Sequence, residues 1–566
     1  PEAWSLTTGS ADVVVAVIDG GIDTSHPDLT PNIWVNPGEI AGNRIDDDGN
    51  GFVDDVTGWD FANRDGTVFD VGDNEHATHV AGTIAARGND GRGVVGVSWL
   101  TKIMPLKFIS PTTSFTSDAI SALNYAVMMR QRGVNIRVVN ASWGSTVSNA
   151  SLEAAINRAG AAGIIVVASA GNIGSDDDAT SAPNYPSSYD SPAIIAVAAS
   201  DASDQLWTSS NYGRSRVDLA APGVTIVSTV PGNAYAARTG TSMAAAFVSG
   251  TAALAVSINP GLTVAALRAT LLEGVDPKVA MSGKLATGGR LNAERTVRRA
   301  ASQRPIDLAA GDTVIDDLNR IGAAPLIKRG PGTAILTGSS SQSGGVVVEA
   351  GVLIVRSATA LGTGPLTVAA NARVVFDVGA TAVSVGGLGA GLSGAVDVGV
   401  GRLVIAAGGS SPSTVRGLLQ SGFGSAWGGA SGLVSRFAGG VPGGGLGYVV
   451  VADGRFTVGF TVAGDTNLDG EIDVIDVATM LAGGAFNTGA TASWADGDFN
   501  YDGVFDMLDV SDMLGGSLVN AGPYAPAGMT AVAQGTDFSL EVQAALVTLA
   551  GETTPSRRRL MGSRAA

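Results

Sequence analysis

A serine at the head of an apolar helix is the first place in this sequence where chemistry could reside. Gly240-Thr241-Ser242-Met243-Ala244 leads into residues 245–258, which are apolar on nearly every side. A helix with no polar face is a buried helix. Ser242 then has two readings. It can cap the free N–H groups of the first turn, or it can be a nucleophile whose oxyanion the positive helix end helps stabilise. A Ser/His/acid mechanism needs a histidine base, and the chain has three: His26, His76 and His79. His26 stands in His-Pro-Asp-Leu, a turn sequence. His76 and His79 open a helical stretch and, three apart, share a face. They could bind a metal, or one could be the base and the other pack behind it. The stretch lacks the second half of a His-Glu-x-x-His signature and an evident third ligand.

These residues need a scaffold. Residues 12–19, Asp-Val-Val-Val-Ala-Val-Ile-Asp, form an apolar run ending in an acid, the pattern of a buried parallel strand. Similar runs lie at 102–108, 136–142, 164–170 and 193–199, and helical patterns at 76–87, 117–131 and 151–162 separate most of them. Alternation of this kind predicts an α/β domain with a mainly parallel sheet. Ligands in such sheets bind at the C-terminal strand ends. Those ends carry Asp19, Ser142-Trp143-Gly144 and Gly171-Asn172.

The segments Val17-Ile-Asp-Gly-Gly-Ile-Asp23, His76-Ala-Thr-His-Val-Ala-Gly82, Ala168-Ser-Ala-Gly-Asn172 and Gly240-Thr-Ser-Met-Ala244 together resemble the signature blocks of subtilisin-like serine peptidases, in that family's order. The resemblance spans residues 1–300. It implies Ser242 as nucleophile, His76 as general base, Asp19 as the acid that orients it, and Asn172 as an oxyanion donor. It further implies that Ser142, Trp143 and Gly144, with Ser169, Ala170 and Gly171, wall the substrate pocket, and that the loop 109–115 pairs with substrate as an added strand. Three features depart from the family. Gly20 replaces the usual Ser or Thr and so removes an expected hydrogen bond to Asp19. Ala77 follows the histidine in place of Gly. Ala246-Phe247 stands in the nucleophile helix in place of Pro-His.

Clustered acids invite calcium. Asp46, Asp48, Asn50 and Asp54 fall at alternate or near-alternate positions of a loop with Gly at its turn, a partial match to a calcium loop. Asp60, Asn63 and Asp65 form a weaker candidate. Farther on, Asp465, Asn467, Asp469, Glu471, Asp473 and Asp476 occupy positions 1, 3, 5, 7, 9 and 12 of a calcium loop, with Gly470 at the sharp turn. Asp498, Asn500, Asp502, Val504, Asp506 and Asp509 repeat the pattern after 33 residues (498 − 465). The duplication resembles a dockerin module. That implies two calcium loop-helix units over 464–516 and a cohesin-like protein partner, although apolar Val474-Ile475 and Met507-Leu508 stand where dockerins often carry hydroxyls.

Between these parts, residues 301–329 read as a linker. Residues 330–463 read as a Gly-rich β region of short β-branched runs between glycine turns. Near 330–378 it resembles the passenger repeat of autotransporter-like proteins, which implies a β-helix there, with a β-sandwich as the alternative for the rest. The multidomain chain thus reads as an α/β domain, an all-β region, a small α-helical calcium module and a weakly structured tail at 517–566.

The 566 residues include 79 glycines and no cysteine, and carry a formal net charge of −17. Without cysteine, disulfides, a thiol nucleophile and thiolate metal sites are excluded. The acidic balance disfavours nucleic acid and anionic membrane as partners, and no run reaches the length of a membrane span. The chain opens at Pro1 without a recognisable signal segment, so an upstream segment is expected to be missing. The expectation is an extracellular, calcium-dependent serine endopeptidase. Two alternatives stand beside it: an inactive binding or scaffold protein that keeps the fold, and an attachment protein whose work lies in residues 330–514.

Overall fold

A computed structural model describes residues 1–524 apart from 182, 321, 390, 391, 442 and 517. Most of the expected tail, residues 525–566, lies outside the described residues. The chain forms two compact units.

The first unit comprises Pro1–Asp307 with Asp316–Ile327 and Gly338–Gly345. Its strands are β1 (Val14–Asp19), β2 (Trp59–Asp60), β3 (Lys102–Lys107), β4 (Ile136–Ala141), β5 (Ile165–Ser169), β6 (Ile194–Ser200), β7 (Leu219–Pro222), a hairpin of β8 (Ile226–Val230) and β9 (Ala234–Arg238), β10 (Asp276–Pro277) and β11 (Gly289–Arg290). Its helices are α1 (His76–Ala85), α2 (Thr116–Gln131), α3 (Ala150–Ala161), α4 (Thr241–Ile258), α5 (Val264–Glu273) and α6 (Ala293–Ser302). The main sheet runs β10-β11-β7-β6-β5-β4-β1-β3-β2, and every pairing except β10 with β11 is parallel. The order radiates from β1, so the ends of β1, β3, β4 and β5 share one edge.

All six residues of β1 are buried, as a strand covered on both faces requires. The period of two then divides its side chains between two cores. Val15 and Val17 pack with Val80 and Ile84 of α1 and the alanines of α4. Val14, Ala16 and Ile18 pack with Leu123 and Ala126 of α2 and Leu152 and Ile156 of α3. Among the described residues α4 alone is long and apolar enough to cross a membrane, but it is 83% buried within this domain. It is the central core helix.

The second unit comprises Leu308–Ile315, Lys328–Thr337 and residues from 346 onward. Strands β12 (Ile306–Asp307), β13 (Thr313–Asp316) and β14 (Leu326–Arg329) occupy the stretch read as a linker. Their β-branched runs are too brief, between Gly and Pro, to register as strands by pattern. Then come β15 (Thr333–Leu336), β16 (Val346–Val348), β17 (Gly351–Val355), β18 (Pro365–Val368), β19 (Ala372–Phe376), β20 (Ala382–Val385), β21 (Gly387–Leu388), β22 (Ala395–Asp397) and β23 (Arg402–Ile405). Helix α7 (Pro412–Phe423), β24 (Gly432–Val434), β25 (Gly444–Val450), β26 (Phe456–Val462), α8 (Val474–Ala482) and α9 (Met507–Gly515) complete it. β15, β17, β19, β22 and β24 stack in parallel, as do β16, β18 and β21. Parallel neighbours one coil apart are the mark of a solenoid, as the β-helix expectation required. The solenoid ends where β23, β26 and β25 pair antiparallel.

The duplicated segment 464–516 packs onto this end. The Trp494 indole donates to the Asp465 carbonyl (2.8 Å) and stacks on Tyr501, whose hydroxyl donates to the Leu446 carbonyl of β25.

Candidate active site

Asp19 is the last residue of β1 and 2% exposed. Its Oδ1 accepts from the Gly20 amide (2.7 Å) and from Nδ1 of His76, the first residue of α1 (2.9 Å). A carboxylate only accepts, so Nδ1 carries the proton and Nε2 of the neutral ring keeps its lone pair, which is what a general base needs. The Asp19 charge raises the His76 pKa above its ordinary value; burial opposes this more weakly. The other oxygen, Asp19 Oδ2, is buried with no hydrogen-bond partner. This is the consequence expected from Gly at position 20.

The other histidines are occupied elsewhere. His79 is fully buried, and its Nε2 faces the carbonyls of Ile226 (2.9 Å) and Ala236 (3.1 Å) in the β8–β9 hairpin. Both are acceptors, so Nε2 bears the proton, and burial lowers the pKa. Ser228 and Thr229 hydroxyls donate to the carbonyls of His79 and Thr78 (2.8 Å each), which clips the hairpin to α1. A Cβ at Gly82 would lie 2.2 Å from the Thr229 hydroxyl, so the clip needs glycine there. His26 is likewise buried, with Nε2 on the Ala234 carbonyl and Nδ1 accepting from the Asp28 amide (3.2 Å each). The two histidines of α1 thus turn to different partners, His76 to Asp19 and His79 to the β8–β9 hairpin.

Ser242 is not the cap of its helix. The N-cap is Gly240, and no side chain caps the turn in the usual way. Instead Asn172, just past β5, accepts with Oδ1 from the Thr241 amide and hydroxyl (2.9 Å each). That fixes the amide orientation and leaves the Asn172 Nδ2 hydrogens free. A Cβ built on Gly240 would lie 3.7 Å from Asn172 Nδ2 and 3.8 Å from the Ser242 amide nitrogen. The Asn172 side chain and the Ser242 amide thus both lie close to Gly240, at the positive end of a buried helix. The Ser242 hydroxyl donates to the Ser142 carbonyl (3.1 Å), and the Ser142 hydroxyl donates to the Ser242 carbonyl (2.9 Å). A single rotation about χ1 redirects the Ser242 hydroxyl. Loose nucleophile–base geometry is common in enzymes without substrate.

The expected pocket walls lie at adjoining strand ends. Trp143 donates to the Ile18 carbonyl (2.7 Å) and meets Phe108 edge to face. Asn184, which the sequence reading missed, joins the two walls. Its Nδ2 donates to the Ser169 carbonyl (3.0 Å), and a Cβ at Gly144 would come 2.3 Å from its Oδ1. Its segment, Asn184-Tyr-Pro-Ser-Ser188, carries only turn signals. Ile109, in the loop expected to pair with substrate, instead bridges back to Ser114 of the same loop.

The acidic loop is assembled differently from its spacing. Among the described residues, the acidic trio with oxygens within 4.8 Å of one another is Glu39, Asp46 and Asp48. Asp54 points both oxygens at the amides of Gly42, Asn43 and Arg44 (2.8, 3.2 and 2.9 Å). Asn50 donates to Asp48 (3.1 Å) and Asp55 (2.8 Å). Glu39 is outside the loop repeat, so no spacing rule could include it. In the C-terminal pair, Asp476 and Asp509 bond backbone amides of their own loops, and Asp473 and Asp506 cap α8 and α9. Asp498 is paired with Arg416 at 2.8 Å. The acids of neither loop gather into such a trio. In the weaker candidate, Asp60 is paired with the buried ammonium of Lys107 (3.1 Å).

The chain matches the subtilase family over residues 10–295 and the passenger-associated transport repeat over residues 326–355. It is 35% identical over 299 residues to thermitase of Thermoactinomyces vulgaris, covering 53% of this chain and 92% of that one. It is 36% identical over 296 residues to a thermophilic serine proteinase of Bacillus sp. (strain AK1), covering 52% of this chain and 64% of that one. Among solved structures, one titled proteases from Pseudoalteromonas arctica PAMC 21717 aligns at 27% identity and a TM-score of 0.43, covering 53% of this chain and 93% of that one.

Proposed function

The chain belongs to the subtilase family and is a serine endopeptidase, and on that premise we propose that it cleaves peptide bonds through an acyl-enzyme on Ser242. His76 Nε2 takes the hydroxyl proton as Ser242 attacks the carbonyl carbon, then returns it to the leaving amine. Asp19 holds the ring in the required tautomer and stabilises the imidazolium. Asn172 Nδ2 and the Ser242 amide receive the oxyanion. The observation that carries this reading is the Asp19–His76 pair at 2.9 Å, with His26 and His79 committed to backbone groups. Ser142, Trp143, Gly144, Ser169, Ala170 and Gly171, joined by Asn184, wall the pocket for the residue before the scissile bond. A fluorophosphonate probe should label wild type and not Ser242→Ala; a folded wild type that stays unlabelled would sink the assignment.

Glu39, Asp46 and Asp48 would hold calcium, because three carboxylates so close repel unless a cation sits between them. The two C-terminal loops would hold it too, the second more weakly, since Arg416 already neutralises Asp498. Secretion fits such a chain. A second reading concerns 464–516 as a dockerin-like module. Val474, Ile475 and Leu481 recur 33 residues later as Met507, Leu508 and Leu514, and all six are 57–74% exposed. A repeated apolar surface of this kind suits a protein partner such as a cohesin. Leu481→Asp with Leu514→Asp should abolish capture by the partner and leave peptide cleavage unchanged; capture at wild-type strength would refute it.

A further inference from the structure

Lys107 ends β3, and its side chain is completely buried. Its ammonium meets three carboxylates: Asp60 at 3.1 Å, Asp70 at 2.5 Å and Asp73 at 2.8 Å. Asp60 is fully buried and Asp73 is 1% exposed, whereas Asp70 is 33% exposed. Asn63 ties two of the acids together, donating to Asp60 (3.0 Å) and Asp70 (2.7 Å), and the Asp70 amide donates to Asp73 (2.8 Å). One amino group thus gathers both ends of the segment from β2 to α1.

That segment ends on the base. Three residues after Asp73 comes His76, whose amide donates to the Asn74 side chain (3.0 Å). The Asp73 carboxylate also lies against the backbone after the orienting acid, since a Cβ at Gly21 would be 2.1 Å from its Oδ2. Lys107 itself pairs in register with Asp19 on one side and Asp60 on the other. The ammonium therefore sits between the two chain segments that deliver Asp19 and His76. Removing it would leave three close carboxylates, two of them buried, and their repulsion would act on the residues just before α1.

We infer that Lys107 is a positioning residue for the Asp19–His76 pair, its ammonium serving as a fixed internal cation for the 60–75 segment in place of a bound metal ion. The inference rests on the catalytic reading above. It also makes a separate claim: a smaller neutral residue at 107 turns the three carboxylates into a calcium site, because carboxylate oxygens are the ligands that ion takes.

The test compares Lys107→Met, which keeps volume and loses charge, with Lys107→Ser, which leaves room for an ion. Fluorophosphonate labelling of wild type comes first; failure there overturns the catalytic reading rather than the role of Lys107. With wild type labelled, Lys107→Met should lose about tenfold or more in the limiting labelling rate, with half-saturation by the probe within about twofold, since the pocket walls are untouched. Lys107→Ser should be as slow in chelator and recover in millimolar calcium, while Lys107→Met stays slow. Melting gives a readout that needs no activity: calcium should raise the midpoint of Lys107→Ser by more than it raises wild type or Lys107→Met. If Lys107→Met does not fold, Lys107→Met/Asp60→Asn/Asp73→Asn removes the uncompensated charge and should fold yet label slowly. Wild-type labelling rates in any folded variant lacking the ammonium, or no extra calcium response in Lys107→Ser, would overturn the inference.

Discussion

The unpartnered oxygen of the Asp19–His76 pair offers a direct test of how its carboxylate is held. Asp19 Oδ2 is buried and accepts nothing, while Oδ1 takes both the Gly20 amide and His76. The perturbation is Gly20→Ser. A Cβ at position 20 would have the Asn74 Oδ1 and Ile109 carbonyl as its nearest neighbours, both at 3.8 Å, so it fits without displacement. The Gly20 amide already brings the carboxylate over this residue, so a serine hydroxyl there has the second oxygen within reach. Gly20→Ala is the control. Loss of unfolded-state freedom alone should stabilise it by about 0.4–1 kcal/mol. A hydrogen bond to a charged group is worth about 1.5–3 kcal/mol; after side-chain ordering, serine should exceed alanine by about 1–2 kcal/mol. At about 2–4 °C per kcal/mol for a domain of this size, the melting midpoint of Gly20→Ser should lie roughly 2–8 °C above that of Gly20→Ala. Differential scanning calorimetry reads the midpoint, and the same proteins give the pH profile of hydrolysis. A hydroxyl on Oδ2 draws charge from the oxygen that faces His76, so the acidic limb should move slightly downward in pH. Equal midpoints for Gly20→Ser and Gly20→Ala would refute the reasoning, because then Oδ2 gains nothing from a donor.

Other outcomes follow from the same geometry. Asn172→Ala should lower kcat by the ~100- to 1000-fold found for oxyanion-hole donors of this kind, with KM nearly unchanged; a loss confined to KM would place Asn172 in ground-state binding instead. Because the base must be neutral and Asp19 raises the His76 pKa, kcat/KM should rise with pH through an inflection above the ordinary histidine value, and Asp19→Asn should move that inflection down. The linked stability has the opposite sense: what the charged pair contributes is present below the unfolded-state histidine pKa and is lost as pH rises through the folded one. Chelation should lower the melting midpoint, and Asp46→Asn with Asp48→Asn should remove part of that sensitivity. A chelator response identical in the double variant would exclude the Glu39 trio as its source.

Much of the catalytic unit is legible in the sequence because its parts sit where strong local patterns end. The stretch 12–19 is read as a buried strand because its six residues 13–18 are uniformly apolar, mostly β-branched, and end at an acid. The structure places β1 there and Asp19 at its end. The helices that follow behave alike, with α1, α2 and α3 starting within a residue of their patterns. Short elements carry no such signal. Strands β12 and β13 have too few residues for a period to show, so a stretch read as a linker is partly strand. The acidic loop shows a different limit: spacing names Asp54, but the fold commits that carboxylate to three amides and brings in Glu39 from outside the pattern.

By itself the sequence determined which residue types could act and which strand and helix ends would present them, because burial and periodicity are properties of adjacent residues. Only the tertiary structure decided which partners each group keeps. His79 goes to the hairpin, Asp19 is left with one bare oxygen, Asn184 reaches the Ser169 carbonyl, and Lys107 meets three acids from the 60–75 segment. Those choices depend on three or four segments meeting at one point in a medium of low dielectric. There an unmatched charge or donor is costly, and adjacency along the chain does not specify which segments meet.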